Sequence, residues 1–121
     1  MLAACVLSAM CALGVITAPT GVRAADTLEG EILDMACYLD RGARGPAHKR
    51  CAQMCAEHGM PLGLITDEGK VFLLYPKHGA GKAFDAVKTL AGARAKVTGK
   101  LGARDGINGL EVHAAEGATP E

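Results

Sequence analysis

The spacing of apolar residues changes period several times between Thr27 and Ala114, and no single period lasts long enough for more than a short element. From Thr27 to Leu39, Leu33, Met35, Cys37 and Leu39 occupy one alternating face and Ile32, Asp34, Ala36 and Tyr38 the other, which predicts a first strand. Two apolar runs, Leu62 to Thr66 and Val71 to Tyr75, flank Asp67-Glu68-Gly69-Lys70 and read as a hairpin. The second run is apolar on both faces, as in a strand covered on both sides. Ala95, Val97, Gly99 and Leu101 alternate with Arg94, Lys96, Thr98 and Lys100, the pattern of a half-buried strand. After a turn at Arg104-Asp105-Gly106, Leu110, Val112 and Ala114 supply the inward face of a last strand, with Glu111 and His113 outward.

Two stretches carry helical signals instead. Pro46 suits the first turn of a helix running to about His58, where Gly59 and then Pro61 stop it. Ala83 to Ala91 places Phe84, Val87 and Leu90 or Ala91 on one stripe, ended by Gly92. The order is therefore strand, helix, strand, strand, helix, strand, strand. Five strands with a helix between the third and fourth is the connectivity of the OB-fold, a small and partly open barrel. The expected fold class is mainly β with two helices (α+β): a five-stranded OB-like antiparallel barrel with a helix inserted after strand one.

The chain also resembles a family of small exported bacterial proteins with an OB-like barrel. The residues that carry the likeness are Asp34-Met35-Ala36-Cys37-Tyr38, the stretch Gly45-Pro46-Ala47-His48-Lys49-Arg50-Cys51-Ala52-Gln53-Met54-Cys55, Gly59-Met60-Pro61-Leu62-Gly63 and Val97-Thr98-Gly99. This resemblance implies export and the barrel, and it implies no reaction.

No charged residue stands between Met1 and Val22, whereas all 13 Lys plus Arg and all 13 Asp plus Glu follow. The apolar run to Ala18, the Pro19-Thr20-Gly21 break and the small residues around Arg23 fit a signal peptide at residues 1–24, cleaved after Ala24. The alternative is an uncleaved membrane anchor, because about 20 apolar residues span a bilayer. No Lys or Arg precedes the run, as though the true start lay upstream. Residues 25–121 then form a single OB-like domain, periplasmic or secreted, without Cys5 and Cys11.

Equal numbers of basic and acidic groups remove the electrostatic case for nucleic acid as a partner. Arg94, Lys96, Lys100 and Arg104 do form a basic stripe, but two Phe, two Tyr and no Trp leave little for base stacking. The glycines match no phosphate-binding pattern. Asp34 and Asp40 flank Cys37 without any sign of a hydrolytic pair. No residue is assigned a catalytic role: thiol chemistry would need a base and an orienting group beyond His48 beside Cys51, and Cys-x-x-x-Cys is not the spacing of thioredoxin-like enzymes.

What remains is the first helix. At 100° per residue His48, Cys51, Cys55 and His58 fall within an arc of about 80°. Thiolate is a soft ligand for copper(I) or zinc(II), and imidazole is a borderline partner. His48 and His58 stand roughly 15 Å apart along the axis, too far for one ion. The metal reading therefore takes Cys51, Cys55 and one of His48 or His58, with Cys37 arriving from the first strand and Met54 or Met60 as thioether reserve. The competing reading is a disulfide from Cys37 to Cys51 or Cys55, the usual fate of cysteines in an exported domain. A Cys51–Cys55 bridge fits less well, since one helical turn holds the Cβ atoms about 5–6 Å apart. The two readings give a non-enzymatic binding module for copper or zinc, or a disulfide-stabilised domain that meets another envelope protein. The membrane enters only through an uncleaved N-terminal segment.

Overall fold

The computed structural model describes residues 24–119. The signal-peptide or anchor segment expected at the N-terminus lies outside the described residues, apart from Ala24. Among the described residues no helix is long and apolar enough to cross a membrane.

Strands β1 (Asp26–Asp34), β2 (Leu62–Thr66), β3 (Val71–Pro76), β4 (Arg94–Arg104) and β5 (Ile107–Gly117) close a barrel in the order β1-β2-β3-β5-β4. Four of the pairings are antiparallel and β3 runs parallel to β5. This closure, with α3 (Lys82–Thr89) between β3 and β4, is consistent with an OB-like α+β fold. The expected all-antiparallel sheet is corrected by the β3–β5 pair, which lets two strands separated by a helix and a third strand close the barrel.

The helices differ from expectation in number. Besides α3 there are α1 (Met35–Arg41) and α2 (Lys49–Glu57), the latter entered through a 3-10 turn at Pro46–His48. The strand expected from Thr27 to Leu39 stops at Asp34, whose carboxylate caps α1 by accepting from the backbone N–H of Ala36 at 3.0 Å and Cys37 at 3.3 Å. Gly42, left-handed at φ 69°, closes the other end by donating to Cys37 and Tyr38 carbonyls. Local capping at both ends thus overrides a weak two-residue alternation.

Inward-facing Ile32, Leu62, Leu64, Leu74, Val97, Leu110 and Val112 form one buried cluster with Ala52 and Ala56 of α2 and with Val87 and Ala91 at α3. The two helices also pack against each other. Alanine on the buried stripe of α2 allows its backbone to come close, and Gly92 completes the fit. Its φ of +78° suits glycine, and a Cβ there would lie 2.6 Å from the Lys49 Cα.

Two further expectations change. On β3 only Phe72 and Leu74 are buried, while Leu73 and Tyr75 are exposed, so that strand is covered on one side. The β4–β5 register shifts between Thr98 and Gly99 of β4, leaving His113 of β5 as the extra residue between Val112 and Ala114. Ala115 rather than Ala114 therefore packs on the core.

Candidate metal centre

Asp34 is the last residue of β1 and continues the inward row of Ile32 to the rim of the barrel. Its side chain is fully buried. Oδ1 is used as the cap of α1, which fixes Cys37 in the first turn of that helix. The chain then returns through a loop held by Glu31 on β1, which accepts from Arg44 Nε at 3.2 Å and from the Gly45 backbone N–H. That grip delivers Pro46 and the 3-10 turn, so His48 arrives beside Asp34, and α2 follows with Cys51 and Cys55 flanking its buried alanines.

The result is two overlapping triads. Cys37, Cys51 and Cys55 place their sulfur atoms within 4.8 Å of one another, and Asp34, Cys37 and His48 do the same with one ligand atom each. All three cysteines are free thiols in the structure; Cys51 is exposed, and Cys37 and Cys55 are half-buried. Arg41 donates to Cys37 Sγ at 3.4 Å.

Electrostatics bind the set together. Burial pushes the Asp34 carboxyl up, but the Cys55 and Cys37 thiols and the capped N–H groups of Cys37 and Ala36 outweigh it and hold the group below the usual range. The reciprocal effect falls on the thiols. The Asp34 carboxylate, aided by desolvation, raises Cys37 and pushes Cys55 up to about 12. Without a cation these thiols stay protonated at neutral pH, so a positive ion is what would convert the pocket into a set of thiolate ligands.

The expected ligands divide in space. Cys37, Cys51, Cys55 and His48 come together; His58 belongs to neither triad, and its Nδ1 lies 2.7 Å from the Met54 carbonyl on the exposed end of α2. Met54 and Met60, both exposed, line an open groove with Cys51, Cys55, Arg50 and His58. Asp34 is the residue that the alternation of charges and thiols did not reveal as a ligand. The signal was the spacing of Asp34 and Gly42, a cap and a stop bracketing seven residues. A scan against protein-family models and searches of curated proteins and of solved structures gave no match.

Proposed function

We propose that this protein is an exported, non-enzymatic binding module that holds a soft transition-metal ion, copper(I) or zinc(II), through Cys37, Cys51 and Cys55. The observation that carries this reading is the convergence of three free thiols within 4.8 Å from two separate helices. Each sulfur has a reason to be there: Cys37 through the Asp34 cap, Cys51 and Cys55 through the alanine contact of α2. Three sulfurs with N or O donors nearby suit either ion, and thioethers at Met54 and Met60 add soft donors at the entrance. Export rests on the apolar N-terminal stretch and its small-residue break.

Purification from an oxidising compartment, with elemental mass spectrometry and intact-mass thiol alkylation, tests it. Near-stoichiometric copper or zinc, lost in Cys51→Ser and Cys55→Ser, is the expected result. A metal-free protein lighter by two hydrogens, with one alkylatable thiol among Cys37, Cys51 and Cys55, would overturn it. The helices would then be tied by a disulfide, and an envelope protein would become the partner to seek.

A further inference from the structure

The five donors at the rim are more than one ion takes. A structural zinc is almost always four-coordinate, whereas Asp34, Cys37, His48, Cys51 and Cys55 offer five side chains in two triads with only Cys37 in common. The second triad carries its own anomaly. Asp34 Oδ2 and His48 Nε2 are both buried, neither has a hydrogen-bond partner, and they face each other at 3.8 Å. That separation is too long for a hydrogen bond. It is close to what two ligands of one ion need, since zinc bonds of about 2.0–2.2 Å to N and O set such atoms roughly 3–4 Å apart. A buried polar atom without a partner is costly, and a cation between these two would satisfy both.

Charge leads to the same place. Three thiolates and one carboxylate carry four negative charges when all are ionised and Arg41 beside Cys37 offsets one, so a single divalent ion still leaves a negative excess for a second to take up. A thiolate sulfur has lone pairs enough to bind two ions, and Cys37 is the residue placed to do so.

Resting on the metal-binding reading above, we propose that the rim holds a two-ion centre. One ion sits on Cys37, Cys51 and Cys55, a second on Asp34, Cys37 and His48, and the Cys37 thiolate bridges them. The second position, with one O, one N and one S donor, takes a borderline divalent ion such as zinc rather than copper(I). Loading involves no redox step: the three thiols release their protons to solvent as the ions bind.

Zinc alone is the probe. The reduced protein is titrated with Zn(II) and its stoichiometry is read by native mass spectrometry, with a chromophoric chelator measuring free zinc. Asp34→Asn keeps the oxygen that caps α1 while removing the charge, and His48→Gln removes the imidazole; far-UV circular dichroism reports whether each variant folds. Two zinc ions in the wild type, one in each of these variants, and loss of the retained ion on adding Cys51→Ser are expected. One ion in the wild type would overturn the two-ion centre and leave the three-thiolate site standing. No ion would remove both. Two ions retained in Asp34→Asn and in His48→Gln would show that the second position lies elsewhere and would overturn the assignment.

Discussion

Asp34 serves two structural demands with its two oxygens: Oδ1 caps α1, and Oδ2 faces His48. The cost appears in the pH dependence of the metal-free, reduced protein. Because Asp34 is held below its ordinary value of 3.8, its contribution to stability is present above that value and is lost as pH falls through the lower folded value. Cys55 is displaced the other way, from 9.0 to about 12, so its contribution is present below pH 9 and is lost as pH rises toward 12. Denaturant midpoints measured across pH should therefore fall at both ends. In Asp34→Asn the alkaline fall should flatten, because the carboxylate that raises Cys55 is gone. An alkaline limb unchanged in that variant would separate Cys55 from Asp34. Bound metal should shift the alkaline limb upward by holding the sulfurs as thiolates.

At the scale of elements, α2 is positioned by what it lacks. Ala52 and Ala56 are its buried residues, and the small contact keeps its backbone near the barrel and its cysteines near α1. Ala56→Leu should cost about 1–3 kcal/mol through overpacking and should also weaken zinc affinity at least tenfold by moving Cys55 and Cys51 away from Cys37. Chemical denaturation and chelator competition measure the two effects. Leucine at the exposed Glu57 position should leave both nearly unchanged. The helical pairing of Cys51 with Cys55, and of His48 one turn earlier, was legible in the sequence because helix geometry is local. The same holds for the hairpin, α3 and the inward row of β4. α1 was not, since Met35, Cys37 and Leu39 satisfy a two-residue period as well as a short helix, and only Asp34 and Gly42 together distinguish them. The bulge at His113 was equally hidden: Ala114 and Ala115 are the same residue, so their identities do not say which one faces inward. The place of Asp34 in the centre depends on β1 ending at the rim where α2 returns, a contact between distant parts of the chain.

For the whole molecule, the centre joins two helices that the barrel holds very differently. Ion binding to the folded state alone stabilises it by mass action, by about 2.7 kcal/mol at free metal one hundred times the dissociation constant. For a domain of this size that should raise Tm by roughly 10 °C or more, reversed by a chelator and absent in Cys51→Ser. A Tm indifferent to zinc would mean that zinc does not bind the folded chain or binds folded and unfolded chains alike, and either result would count against the centre. The barrel, α2 and α3 share one buried cluster, but α1 has no buried residue and is held by its two caps, by the Met35 N–H bond to the Pro61 carbonyl and by the half-buried Met35 side chain lying over Gly63. Local opening of α1 therefore requires little of what global unfolding requires. Cys37 is the donor that travels with it, so the lifetime of a bound ion would be set by the fraying of one seven-residue helix while the barrel stays intact, and an acceptor would draw the metal away at a rate unrelated to the stability of the fold.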